Sequence, residues 1–207
     1  MGLINVGRPE LMCHGVEHVD ELIPLLDKAS VVVIGPGLGQ KLWGAEMFYQ
    51  VVESEKPMVI DADALNLLAN KGFSFNNWVL TPHPGEAARL LKCSTSKIAQ
   101  DRFKAVSKLQ KQYGGVVVLK GAGTLVNTGE EIAISTTGNP GMASGGMGDT
   151  LTGMIGGLIA QGMTLESAAT SAVYLHGKAA DLSAQQQGET GLLASDLMPF
   201  IRKLVNE

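Results

Sequence analysis

Short apolar runs punctuate the chain, and each ends at a turn-forming residue. Val31–Ile34 is an unbroken, β-branched run that stops at Gly35. It predicts a parallel strand buried on both faces. Runs of the same kind stand at Met58–Ile60, Trp78–Leu80 and Val116–Leu119. Between them the spacing becomes helical, over about Lys41–Glu53, Asp61–Asn70, Glu86–Leu91 and Ser96–Tyr113. A short helix is predicted ahead of the first strand, at Val16–Asp27. Thr124–Asn127 and Glu130–Ser135 read as a hairpin turning at Thr128–Gly129. A Gly-rich loop, Thr137–Gly148, leads into three helices over roughly Asp149–Gln161, Thr164–Ala184 and Ser195–Val205. Strands alternating with helices predict a mostly parallel sheet covered on both faces.

In open sheets of this kind, ligands sit beyond the carboxyl ends of the strands. Five segments fall there: Gly35–Gly39, Asp61–Asp63, Thr81–Glu86, Lys120–Gly123 and Asn139–Asp149. Composition supports that picture. Glycine is in surplus, at 26 of 207 residues, as expected where backbone must approach a ligand. The length suffices for one domain with a sizeable core. A net charge of −4, with no run of Lys or Arg, offers no field for non-specific nucleic-acid binding. The sequence has no apolar signal core and no run near the roughly 20 residues of a membrane span. Cys13 and Cys93 suit a reducing compartment. The expectation is a cytoplasmic enzyme of small molecules, with no nucleic-acid or membrane partner.

The strongest local feature is Asn139-Pro-Gly-Met-Ala-Ser-Gly-Gly-Met-Gly-Asp149, running into an apolar helix. The first N–H groups of a helix lack internal partners and attract anions. Gly145, Gly146 and Gly148 would let the backbone approach phosphate oxygens. No Lys-Ser/Thr follows them, so this is not a Walker A loop. Asp149 then stands where it can take the proton of a hydroxyl attacking a phosphoryl group, or simply cap the helix. Asp61 and Asp63 flank Ala62 at a strand end. Two acids this close repel unless solvated, hydrogen-bonded or near a cation. Asp63 is also a candidate helix cap. Two prolines fix the turn around His83, and Glu86 follows in a first helical turn. Lys120, at a strand end before a glycine turn, is placed to pair with a phosphate.

Five segments in this order resemble the ADP/ATP-dependent NAD(P)H-hydrate dehydratases of the ribokinase-like superfamily. They are Gly35-Pro-Gly-Leu-Gly39, Asp61-Ala-Asp-Ala-Leu-Asn66, Thr81-Pro-His-Pro-Gly-Glu86, Lys120-Gly121 and Asn139–Asp149. The resemblance implies a ribokinase-like three-layer α/β/α sandwich with a mostly parallel central sheet. It implies repair of hydrated NADH or NADPH, with ADP or ATP as phosphoryl donor and Mg2+ as cofactor. It makes Asp149 the catalytic base. It assigns Lys120, Gly121, Ala122, Gly123, Thr124, Gly145, Gly146 and Gly148 to the nucleotide. It assigns Gly37, Gly39, Asp61, Asp63, Asn66, His83 and Asp149 to the substrate, and Glu86 to Mg2+ through water. Family members begin with a further strand, Gly-rich turn and helix. By that comparison residues 1–207 form one domain short of its N-terminal segment, which a separate chain or domain would supply. The chain is expected to form a homo-oligomer. A hydroxyethylthiazole-kinase-like enzyme and a non-catalytic nucleotide-binding module are the alternatives.

Overall fold

The computed structural model describes residues 7–207. Its centre is one six-stranded sheet, with strands in sequence order. β1 (Val32–Ile34), β2 (Met58–Ile60), β3 (Trp78–Leu80) and β4 (Val116–Leu119) run parallel. β5 (Leu125–Asn127) and β6 (Ile132–Ile134) complete the sheet as an antiparallel hairpin. The helices are α1 (Val19–Lys28), α2 (Leu42–Glu53), α3 (Ala62–Lys71), α4 (Pro84–Leu90), α5 (Thr95–Gln100) and α6 (Arg102–Tyr113), then α7 (Met147–Ala160), α8 (Leu165–Gln187) and α9 (Met198–Leu204).

The two sheet faces are chemically different, and this follows from the alternation of side chains along a strand. Met58, Ile60, Trp78, Leu80, Val117, Leu119 and Leu125 point into one core with residues of α2 to α6. Val59, Val79, Val116, Val118 and Val126 point into a second core, against Leu151 and Ile155 of α7 and Ala169, Ala172 and Val173 of α8. The second face is nearly all valine, and the helices that cover it bring small residues. A methyl group on Gly156 would lie 2.3 Å from Val33 Cγ2, so α7 rests directly on the strands. The buried indole N–H and phenol hydroxyl of the larger core are satisfied: Trp78 Nε1 donates to Tyr113 O at 3.1 Å, and Tyr113 OH to Leu90 O at 2.9 Å.

Three sequence expectations need correcting. β1 is not buried on both faces: among the described residues it is an edge strand, and Val33 is 42% exposed. The helix expected over 96–113 is two, broken at Asp101, whose carboxylate caps α6 by accepting from Lys104 N at 2.9 Å. The third concerns α7, which begins at Met147 with Gly146 as its N-cap. Asp149 is therefore a first-turn residue and not the cap. Smaller shifts occur at α1, which begins at Val19, and at α9, which is preceded by a 3-10 turn over Ala194–Leu197. No helix among the described residues is long and apolar enough to cross a membrane.

Candidate active site

The carboxyl ends of β2, β3 and β4 meet beneath the start of α7, and a buried polar cluster joins them. Asp61, the residue after β2, is 1% exposed and is the N-cap position of α3. Its Oδ1 accepts from Lys120 Nζ at 2.7 Å, and its Oδ2 from Thr152 Oγ1 of α7 at 2.7 Å. Thr81, after β3, lies 3.5 Å from the same Thr152 hydroxyl, and Lys120 N donates to Pro82 O at 2.9 Å. Lys120 is thus engaged in an ion pair rather than extended into solvent. The repulsion anticipated between Asp61 and Asp63 is met by giving each carboxylate its own donors. Asp63 Oδ2 accepts from Gly39 N and its Oδ1 from Gln40 Nε2, both at 2.9 Å, so Asp63 pins the Gly35–Gly39 loop and is not the N-cap of α3.

Backbone geometry around Asp61 is over-determined. A methyl group on Gly35 would lie 1.7 Å from Asp61 O, and Ala62 holds a left-handed φ of 47°. Such a conformation costs a non-glycine residue about 1 kcal/mol and persists only where the surroundings impose it.

Thr152 carries no mark in the sequence, being one polar residue in an apolar helix. Removing its hydroxyl strands one oxygen of a buried carboxylate. Thr152→Val is expected to destabilise the fold by about 1–3 kcal/mol, with Thr152→Ser restoring most of it, as measured by urea unfolding. A valine variant as stable as the parent would show the bond to contribute nothing.

Above this cluster lies the glycine loop. Asn139 Nδ2 and Gly138 N both donate to Asp181 of α8, each at 3.0 Å, and Ser144 Oγ donates to Leu192 O at 3.0 Å. The loop is therefore tied at both ends. Gly146 turns it into α7 with φ 83°. Thr150 N makes the first intrahelical bond, to Gly146 O at 2.9 Å, which leaves the N–H groups of 147–149 without intrahelical acceptors. Gly148 packs on the ion pair: a methyl group there would lie 3.2 Å from Lys120 Nζ and 3.8 Å from Asp61 Oδ2. Asp149 is exposed, and its side chain forms no hydrogen bond or ion pair among the described residues. The arrangement is a helix start with free N–H groups, the kind of position that suits an anion, with an ammonium beneath it and an unengaged carboxylate beside it.

The Lys120–Thr124 turn, assigned to the nucleotide, is braced from outside. Arg102, at the start of α6, donates to Ala122 O and, at 3.3 Å, to Leu119 O. Thr124 Oγ1 donates to Gly121 O at 3.0 Å. Gly121 and Gly123 take φ of 143° and 64°, which glycine alone adopts freely.

His83 and Glu86 form a reciprocal cap on α4. His83 Nδ1 accepts from Gly85 N at 2.9 Å, and Glu86 Oε2 accepts from His83 N at 2.8 Å. The ring proton then sits on Nε2, 3.4 Å from Glu86 Oε1. Partial burial, then the charges of Lys120 and Arg89, lower the pKa of His83. Burial raises that of Glu86. Both oxygens of Glu86 are thus occupied within its own cap. No group of three or more His, Cys, Asp or Glu able to hold a metal occurs among the described residues. The described residues do not build a cage for Mg2+. Asn66 stands apart from the cluster, with Oδ1 accepting from Arg89 at 2.8 Å.

His176 of α8 is 5% exposed, and its Nε2 has no hydrogen-bond partner. Burial, aided by Lys120, lowers its pKa from 6.5 to about 4. The unfolded chain therefore binds this proton more tightly. Stability is complete above pH 6.5 and falls as pH drops from 6.5 towards 4, by about 3 kcal/mol. His176→Leu is expected to remove that part of the slope in thermal melts taken at pH 7 and pH 4.5. Parallel curves for the two proteins would show that His176 is not its source.

A family model described as NAD(P)H-hydrate dehydratase matches residues 2–203. A bifunctional NAD(P)H-hydrate repair enzyme from Coxiella burnetii is 52% identical, over 99% of this chain and 42% of its own length. An ADP-dependent (S)-NAD(P)H-hydrate dehydratase from Neisseria meningitidis is 41% identical, over 98% of this chain and 71% of its own. The chain thus spans about two fifths of the length of several relatives it matches. Among solved structures, a ribokinase-like superfamily protein from Enterococcus faecalis aligns with a TM-score of 0.79 and 30% identity, over 91% of this chain and 68% of that one. An ADP/ATP-dependent NAD(P)H-hydrate dehydratase from Bacillus subtilis, co-crystallised with ATP and Mg2+, aligns with a TM-score of 0.77 and 31% identity, over 86% and 66%. The fold is ribokinase-like.

Proposed function

The chain belongs to the NAD(P)H-hydrate dehydratase family, and from that premise we propose that it dehydrates hydrated NADH or NADPH at the expense of ADP or ATP. The observation that carries this reading is the exposed, unpartnered Asp149 in the first turn of α7, beside three N–H groups that lack helical acceptors.

The hydrate carries a hydroxyl on a saturated carbon of its nicotinamide ring, and hydroxide is a poor leaving group. Asp149 takes the hydroxyl proton as the oxygen attacks the terminal phosphorus of the nucleotide. A new oxygen–phosphorus bond forms, and the bond to the departing AMP or ADP breaks. The N–H groups at Gly146–Asp149 and the ammonium of Lys120 stabilise the charge on the transferring group. The phosphorylated ring then expels inorganic phosphate, with the ring nitrogen supplying the electron pair. Loss of a proton from the neighbouring carbon restores the double bond. Lys120 through Thr124 hold the nucleotide. Gly37, Gly39, Asp61, Asp63, Asn66 and His83 shape the substrate side, with Asp61 acting through Lys120 and Asp63 through Gly39. Mg2+ bound with the nucleotide would neutralise charge on its phosphates; Glu86, which the resemblance gives to that ion, keeps both carboxylate oxygens within its own helix cap.

The test is direct. Purified protein, hydrated NADH and ADP or ATP are mixed, and NADH absorbance is followed with phosphate release. Recovery of absorbance with one phosphate released per NADH supports dehydration. Nucleotide consumption that leaves a stable phosphorylated hydrate would make the protein a kinase instead.

A further inference from the structure

We propose that the cleft between α3 and α4 seats the phosphate-bearing adenosine half of the hydrated dinucleotide. This rests on the function proposed above and adds a subsite to it. The cleft has a volume of about 450 Å3 and is lined by Gln40, Asn66, Ala69, Asn70, Arg89 and Lys92. Small-molecule sites begin at about 300 Å3, and the cleft falls in that size class. Two lining groups are cations and three are amides. That set recognises phosphate oxygens and sugar hydroxyls.

The cleft adjoins the Gly35–Gly39 loop, whose Gly37 and Gly39 are assigned to the substrate. Gln40 follows Gly39 directly, and Asp63 holds both, accepting from Gly39 N and Gln40 Nε2 at 2.9 Å. The nucleotide turn, by contrast, follows β4, whereas the cleft lies between the helices that follow β2 and β3. The two phosphate-bearing molecules are thus given separate cationic sites.

Two features of the cations point to a ligand. Arg89 commits one terminal nitrogen, to Asn66 Oδ1 at 2.8 Å, which orients the guanidinium and leaves its other N–H groups for an anion. Lys92 stands just past the end of α4 with a left-handed φ of 50°. Its N donates to Arg89 O at 3.1 Å, and Cys93 N returns to Ala88 O at 2.9 Å. This is the helix-ending position that glycine favours. A lysine there is held at a conformational cost, and its ammonium has no carboxylate partner among the described residues.

Lys92→Gly makes the sharpest test, because it removes the charge while relieving the backbone, so the variant folds at least as well. Michaelis constants are measured with saturating ADP or ATP for hydrated NADPH, hydrated NADH and hydrated reduced nicotinamide mononucleotide, which lacks the adenosine half. Lys92→Gly and Arg89→Ala are each expected to raise KM for a hydrated dinucleotide about tenfold. The kcat, the KM for ADP and the KM for the mononucleotide stay at parent values. A rise confined to hydrated NADPH identifies the 2′-phosphate as the bound group; an equal rise for both dinucleotides identifies the pyrophosphate. Unchanged dinucleotide KM in both variants, or an equal rise for the mononucleotide, overturns the proposal. If the parent protein dehydrates neither hydrate, the proposed function has failed instead. The dissociation constant of NADPH itself in the same variants then decides the cleft: a tenfold loss supports it and no loss overturns it.

Discussion

Asp149→Asn is expected to lower turnover by about 100- to 10,000-fold, the span of a lost general base, with ADP affinity kept within about twofold. The structure places this carboxylate in the first turn of α7. It is exposed, it bonds to no other side chain, and it is not the helix cap. Asparagine has the same shape but carries no charge and cannot take a proton. The helix start, Gly148 and the ion pair beneath it are untouched. Stability should therefore stay within about 0.5 kcal/mol, as for an exposed substitution with no partner. Steady-state turnover and calorimetric titration with ADP check the two halves separately. Near-parent turnover would remove Asp149 from the chemistry. Turnover and ADP affinity falling together would make it a binding group instead of a base.

Replacing Lys120 is expected to cost more stability than any other single change in the site. Asp61 is 1% exposed, and the Lys120 side chain 19% exposed. Lys120→Met leaves Asp61 charged and buried, with the Thr152 hydroxyl as its remaining side-chain partner. Removing one member of a buried pair costs about 3–5 kcal/mol, which lowers Tm by roughly 6–20 °C for a chain of this size. Asp61→Asn combined with Lys120→Met removes both charges and should recover much of the loss, while nucleotide binding stays weakened because the ammonium below Gly148 is gone. Thermal melts of the two single variants and the double variant test this. A Lys120→Met protein melting within 2 °C of the parent, a margin below about 1 kcal/mol, would show that the pair does not support the fold.

Much of this architecture can be read from local pattern. Met58–Ile60, Trp78–Leu80 and Val116–Leu119 are strands at those bounds, because a β-branched apolar run bounded by turn residues has few other stable states. The hairpin around Thr128–Gly129 and the order of the site segments followed from the same logic. What could not be read depends on distant partners. Val33 looks as buried as Val59, yet it lies at the sheet edge. The break at Asp101 interrupts a helical pattern that continues on both sides, and only the cap bond to Lys104 N reveals it. Lys120 lies 59 residues from Asp61, and Thr152 lies 91 from it. No spacing rule connects them, so the Lys120 ammonium could be placed at a strand end but not paired. The sequence places Asp149 at a helix start, but which residue caps that helix is decided by the left-handed turn at Gly146.

One measurement bears most directly on the whole account: the position of the last phosphorus of ADP or ATP in crystals of this protein. The last phosphorus is expected against the main-chain N–H groups of residues 146–149, with phosphate oxygens at hydrogen-bond distance, roughly 3 Å, and the Asp149 carboxylate alongside. A nucleotide whose terminal phosphate rests elsewhere, out of reach of Asp149, would contradict it.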